Sequence, residues 1–235
     1  MENSAGPHEF VCEEDEYNHA LDRGLRVSGE ARDYFARSRA TFLAERLQRL
    51  GKRPGSVLDF GCGSGASTRI LWDVLDGPEM VGVDPSERLL QSARATYESP
   101  GLRFASPSEL TAETKFDLAF CNGVFHHIAP HDRAAAIRYV REALRQGGLL
   151  ALWENNPWSP AARYVMSRIP FDKNATMVWP QGIRRLLTEE GFDILSTDFC
   201  FVFPRSLKLL RFVEPRLTHL PLGAQYQILA RKSES

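Results

Sequence analysis

The chain has only four cysteines in 235 residues, and they are scattered: Cys12, Cys62, Cys121 and Cys200, with no CxxC pair. That spacing argues against a disulfide framework and against a zinc cluster, so no metal site is expected and a reducing cytoplasm is the expected compartment. No run of about 18 apolar residues occurs, which argues against a transmembrane helix. Met1 to Asp15 is acidic and polar, without a basic stretch followed by an apolar core, so it does not read as a secretory signal. An excess of charge is also lacking. Lys and Arg number 29 against 30 Asp and Glu, a formal net charge of −1. That balance gives no overall footprint for nucleic acid or an acidic membrane surface, although it says nothing against a local basic patch. Internal repeats and low-complexity tracts are absent.

The length suits one full α/β domain with a small appended element. From Ala31 to Leu50, Phe35, Phe42, Leu43, Leu47 and Leu50 fall near helical spacing, and Gly51 and Pro54 end the pattern. Residues 1–50 read as an N-terminal helical or cap segment, and 51–235 as the main domain. Ser56 to Phe60 is an apolar run that enters the loop Gly61-Cys62-Gly63-Ser64-Gly65. Met80 to Val83, Leu102 to Ala105, Phe116 to Cys121 and Leu149 to Trp153 are further strand candidates. Helical patterns lie between them. One begins near Pro85; another, through Ala134, Ile137, Val140 and Leu144, is expected to close at Gly147-Gly148. This alternation predicts βαβ units and a mostly parallel sheet with helices on both faces.

After Glu154 the rhythm changes. Asn156-Pro157-Trp158-Ser159-Pro160 reads as a turn-rich break, residues 161–179 as mixed, and Gln181 to Glu190 as a helix. Phe192 to Phe203 and Gln225 to Lys232 read as the last strands. Between them lies an apolar, proline-punctuated insert, Pro204 to Leu222, which reads as a lid, a subunit contact or a membrane-facing patch.

The glycine loop carries most of the chemical information. Gly61-x-Gly63-x-x-Ala66 fits the dinucleotide fingerprint, so a nicotinamide-linked oxidoreductase is a rival reading. Two features oppose it. Asp59, two residues before the first glycine, would repel a pyrophosphate but suits a ligand that brings cationic groups. Gly65 stands one residue earlier than the third glycine of the dinucleotide pattern. No GK[ST] follows, which excludes a phosphate-binding P-loop. Asp84 follows the second strand, where a carboxylate can accept hydrogen bonds from both hydroxyls of a ribose. The alternative for Asp84 is a cap on the next helix.

The segments VLDFGCGSG, VGVDPS, FDLAFCNGVFHHI and LRQGGLLAL resemble, in order and spacing, successive motifs of class I S-adenosylmethionine (SAM)-dependent methyltransferases. The resemblance covers about residues 55–155. It implies a Rossmann-like seven-stranded sheet whose last strand is antiparallel. It implies SAM as cofactor and S-adenosylhomocysteine (SAH) as product. Cofactor contacts are then expected at Asp59, Gly61, Cys62, Gly63, Gly65, Asp84, Pro85, Asn122 and Gly123. The acid that such enzymes often carry after the third strand is missing; Ser106 or a backbone group would take its place at the adenine.

Methyl transfer needs a base only when the nucleophile must lose a proton. Candidates at the strand ends are His126, His127 and Glu154, each with a structural alternative: rings that shape the loop, and a solvated strand end. Tyr17, Tyr34, Trp158, Tyr164 and Arg168 are candidates for the acceptor pocket, expected to be built from residues 15–35 and 155–180, or else they pack the core or an interface. The expected function is methyl transfer to a small-molecule acceptor such as a natural product, a glycan precursor or a lipid-linked compound. The alternatives are a nucleic-acid or protein methyltransferase of the same fold and a non-catalytic SAM- or nucleoside-binding module. A homo-oligomer remains open.

Overall fold

The apolar runs read as strands all join one sheet. In a computed structural model that describes residues 28–168 and 176–234, the strands are β1 (Ser56–Phe60), β2 (Glu79–Val83), β3 (Leu102–Ala105), β4 (Phe116–Asn122), β5 (Leu144–Asn155), β6 (Phe192–Cys200) and β7 (Gln225–Lys232). Their order is β3-β2-β1-β4-β5-β7-β6. β7 runs antiparallel to β5 and β6, while β1 to β5 pair in parallel. The helices are α1 (Arg32–Arg49), α2 (Ala66–Val74), α3 (Glu87–Tyr97), α4 (Arg133–Ala143), α5 (Pro160–Arg168), α6 (Pro180–Glu189) and the short α7 (Glu214–Leu217).

Successive strand residues point to opposite faces, so the central strands feed two cores. On one face Leu58, Leu150, Leu152 and Ile228 pack against Ile137 and Val140 of α4 and Ile183 and Leu187 of α6. On the other, Val57, Leu118, Ala151 and Trp153 meet Leu43 and Leu47 of α1, Leu71 of α2 and Leu90 of α3. Both faces are covered, as a largely parallel sheet requires.

Four boundaries differ from the sequence pattern. Gly147 and Gly148 do not close a helix. α4 stops at Ala143, and the glycines lie inside β5, where the pairing with β4 shifts register between Phe116 and Leu118. The shift absorbs the extra residues as a bulge, which is where a strand tolerates glycine. β6 ends at Cys200 rather than Phe203, because Phe201 adopts φ +65° and turns the chain out of the sheet. The stretch read as mixed contains a helix, α5, from Pro160 to Arg168. The helix placed near Pro85 starts at Glu87, with Ser86 as its cap accepting from the Leu89 N–H.

α1 is tied to the far edge of the sheet by a polar contact. Arg46 hydrogen-bonds Asp198 of β6, and Ser196 Oγ donates to the other carboxylate oxygen at 2.7 Å. The Arg46 guanidinium also lies 5.0 Å over the Phe42 ring. Asp198 is buried, so losing its cation would leave a charge desolvated and unpaired. Arg46→Met should therefore lower stability by about 2–3 kcal/mol, somewhat below the range for fully buried pairs because the arginine keeps partial contact with water. Arg49→Met, at an exposed pair with Glu45, should change it by less than about 0.5 kcal/mol. Urea denaturation of the two variants checks the contrast.

Candidate functional site

The carboxyl ends of β1, β2 and β4 meet at one edge, where ligands of open α/β sheets bind. The glycine loop leaves β1 there and is pinned by its neighbour: Gly61 N–H and Cys62 N–H both donate to Val83 O of β2, at 2.8 and 3.0 Å. Gly61 has φ +81°, and a Cβ there would lie 2.3 Å from Val124 Cγ2, so no side chain fits. Gly63 has φ +55° and faces the other way, with nothing within 4 Å of where a Cβ would be. The loop thus presses on the segment after β4 with one glycine and leaves open space beside another.

Two carboxylates stand at the ends of β1 and β2. Asp59 is buried, and its Oδ2 accepts from Thr68 Oγ1 of α2 at 2.7 Å. Burial, with Asp84 adding to it, pushes its pKa up to about 7 despite the Thr68 hydrogen bond and the attraction of Arg39. Asp84 accepts from Gly63 N–H at 3.0 Å through Oδ2 and from Ser86 N–H at 2.9 Å through Oδ1. It is therefore not the helix cap; that is Ser86. Burial raises the Asp84 pKa, and these two hydrogen bonds pull it back. A carboxylate can accept about four hydrogen bonds, so each of these retains capacity toward a ligand.

Other residues singled out in the sequence fall in varied places. Asn122 ends β4, and Gly123 N–H donates to Trp153 O at 2.9 Å. Pro85 is exposed at the turn after β2. Cys62 does not face the cleft. Its side chain joins the α1–α3 core, and burial raises its thiol pKa well above the usual range. Ser106 lies just past β3 as the cap of a short turn, its Oγ 3.0 Å from Ser108 Oγ, and Glu109 reaches back to its backbone N–H.

Glu154 is not a solvated strand end. It is buried, and its Oε1 accepts from Phe125 N–H at 2.8 Å and His126 N–H at 3.3 Å, while Oε2 lies 2.7 Å from His126 Nδ1. The carboxylate thus holds the backbone and the ring of the loop after β4. Arg133 braces the same loop, donating to Phe125 O and Ile128 O at 3.0 and 3.1 Å. It also reaches Thr176 O, and Thr176 N–H donates to His126 O, which docks the chain entering α6 on this loop. The His127 ring packs against that of His126 at a tilt of 48°, with centroids 4.1 Å apart. Although one side of His127 stays in water, the packing around it and the neighbouring ring push its pKa down to about 4. His127 is therefore neutral at pH 7.

Among the candidates for an acceptor pocket, Trp158 meets Trp179 edge to face at 5.6 Å, both partly exposed, and lies 6.0 Å from Phe199. Tyr164 is exposed on α5. Tyr34 is half-buried in a different cluster, with Phe35, Phe201 and the Arg211 guanidinium 4.8 Å over its ring. Tyr17 and the stretch before Ser28 lie outside the described residues, as does the side chain of Arg168. Among the described residues, no group of three His, Cys, Asp or Glu is arranged to hold a metal ion.

Thr68, Arg133 and Arg39 escaped the sequence reading. Arg39 is buried on α1, donates to Gln225 Oε1 at 3.0 Å, and bears electrostatically on Asp59. The signal was present: Arg39 lies four residues from both Phe35 and Leu43, on the apolar stripe of the helix, where a cation requires a partner.

A family model described as a methyltransferase domain matches residues 58–150. Over these residues the chain is similar to class I SAM-dependent methyltransferases. It is 33% identical over 155 residues to a trans-aconitate 2-methyltransferase of Acidovorax sp. (strain JS42), covering 63% of this chain and 58% of that protein. It thus spans less than two thirds of that relative. A ribosomal RNA small subunit methyltransferase C of Shewanella loihica is 30% identical over 46% of this chain and 34% of its own length. Among solved structures, a magnesium protoporphyrin IX methyltransferase from Synechocystis PCC 6803 shares the fold with a TM-score of 0.62, at 18% identity and over 93% of this chain and 94% of its own.

Asp59 gives a test of the site's electrostatics. With a folded pKa of about 7 against an ordinary 3.8, the folded protein holds this proton more tightly than the unfolded chain does. The resulting stabilisation is full below about pH 4 and is lost as pH rises through about 7. Asp59→Asn does not ionise and can still accept from Thr68. Without cofactor it should be more stable relative to the parent at pH 8 than at pH 5, as read from urea denaturation at both values.

Proposed function

We propose that the chain transfers a methyl group from SAM to a small-molecule acceptor. The observation that carries this reading is the pair of carboxylates at the ends of β1 and β2, buried Asp59 and, hydrogen-bonded to the N–H of Gly63, Asp84, in a loop that leaves open space beside that glycine. Two carboxylates around a glycine loop oppose a pyrophosphate and favour a nucleoside that carries an ammonium and a sulfonium. The donor set fits SAM: Asp84 for the ribose hydroxyls, Asp59 for the ammonium side, and Asn122 with Gly123 beside the methionine portion. Arg39 would complement the carboxylate of that portion. Ser106 or the backbone near it would serve the adenine. When bound, SAM supplies a methyl on a cationic sulfur that is already a good leaving group.

The chain's own task is then alignment and water exclusion. Glu154 and Arg133 hold the loop bearing His126 and His127 over the strand ends. Neutral His127 can accept a proton from an acceptor hydroxyl or amine, and its low pKa makes it a weak base, so positioning would supply most of the rate. The small-molecule reading is supported by the near-zero net charge and by relatives named for trans-aconitate.

SAM and SAH should each raise the melting temperature and NAD should not; at ~100 times Kd the stabilisation is about 2.7 kcal/mol. A shift with NAD alone would overturn the cofactor. Asp84→Asn, which loses the charge-assisted hydrogen bonds to the ribose, should bind SAH about tenfold more weakly in calorimetry. Trans-aconitate is the first acceptor to assay for SAH release; methylation of RNA or protein in place of any small acceptor would favour the alternative reading.

A further inference from the structure

The insert between β6 and β7 combines a fixed inner side with an unusual outer one. A 3-10 helix spans Arg205–Val213, and α7 follows. Its inner side is well anchored. Arg205 N–H donates to Ser28 O at 2.9 Å. Arg211 donates to Phe203 O, pairs with Glu30 at 3.0 Å and covers the Tyr34 ring. The outer side is apolar. Leu209 and Phe212 are 82% and 72% exposed, more than any other large apolar side chain among the described residues. In a 3-10 helix residues three apart eclipse, so these two share one face. Leu207 and Leu210 flank them, and Leu220 and Leu222 follow, all exposed. Clustered apolar side chains of this kind mark a contact surface.

Charge identifies the partner. Within 204–222 the ionised side chains are Arg205, Lys208, Arg211 and Arg216 against one acid, Glu214. Glu214 is turned inward and accepts from Phe203 N–H at 2.8 Å. Arg205, Lys208 and Arg216 are exposed in the same segment as the leucines. A chain of net charge −1 therefore carries, in one segment, a run of exposed apolar side chains together with three exposed basic residues and no exposed acid. A second copy fits poorly, because a two-fold contact would set the same cations against each other. An anionic lipid surface fits both features, with leucine and phenylalanine entering the acyl boundary and the basic groups meeting the headgroups.

We infer that segment 204–222 docks the protein peripherally on an anionic bilayer. The segment joins Cys200 to Gln225, which pair with each other at the carboxyl edge of the sheet. Docking would thus bring the edge that carries the glycine loop and Asp84 close to the lipid. The inference rests on this surface and is independent of whether methyl transfer occurs.

Flotation of the full chain with vesicles tests it, using phosphatidylcholine alone and phosphatidylcholine mixed with phosphatidylglycerol. The parent should float with the mixed vesicles, release at high salt and ignore phosphatidylcholine. Leu209→Ser combined with Phe212→Ser should weaken binding by about tenfold or more. Lys208→Glu combined with Arg216→Glu should abolish the preference for anionic lipid. Both positions are exposed, and an unchanged melting temperature shows that each variant folds. Absence of flotation with mixed vesicles overturns the inference. So does parent binding that the serine variant leaves intact, or a dimer in sedimentation that the serine variant dissolves.

Discussion

The Glu154 carboxylate is the contact on which the candidate site depends. A buried acid is unfavourable unless its oxygens are satisfied. Here two backbone N–H groups and a histidine ring converge on it. The same contacts fix the loop after β4, which touches the glycine loop through Val124 and Gly61 and the chain entering α6 through Thr176. The glycine loop and the chain entering α6 are thereby joined through one carboxylate.

The two faces of the sheet divide the labour. Asp59 points toward α1 and α2, where Thr68 and Arg39 attend it. Glu154 points the other way, into the layer of α4 and α6, where its strand partner Tyr226 donates from its hydroxyl to Val178 O at 2.8 Å. Acids on opposite faces of two strands separated by β4 keep their charges apart at one edge of the sheet. The alternation of side chains along a strand makes this arrangement available from the sequence order alone.

Much of the fold was legible in the sequence because its signals are local. The strands of the first half are short apolar runs bounded by glycine, proline or aspartate, and the glycine loop requires backbone conformations that few residues adopt. The errors came where tertiary contacts override local pattern. Gly147-Gly148 has the chemistry of a helix end, but the pairing of β5 with β4 draws it into a bulged strand. Phe192 to Phe203 reads as one strand, but Phe201 turns inward to meet Phe35 and Trp153. In the candidate site, Asp59, Asp84 and the glycines were legible by position relative to strand ends. The roles of Glu154 and Arg39 were not, since both act across distances in sequence that only packing closes.

The position of β7 has a consequence for how the chain is assembled. β6 lies at the sheet edge with β7 as its one sheet neighbour. During synthesis, β6 therefore emerges before the strand that must separate it from β5. Until residues 225–232 arrive, both β5 and β6 present unpaired backbone to solvent, the condition that invites mispairing. The insert that precedes β7 lengthens that interval. Completion of the sheet is thus a late, interior insertion, and a chain stalled before Gln225 would lack the strand that joins β5 to β6 while keeping every segment of the glycine-loop motif.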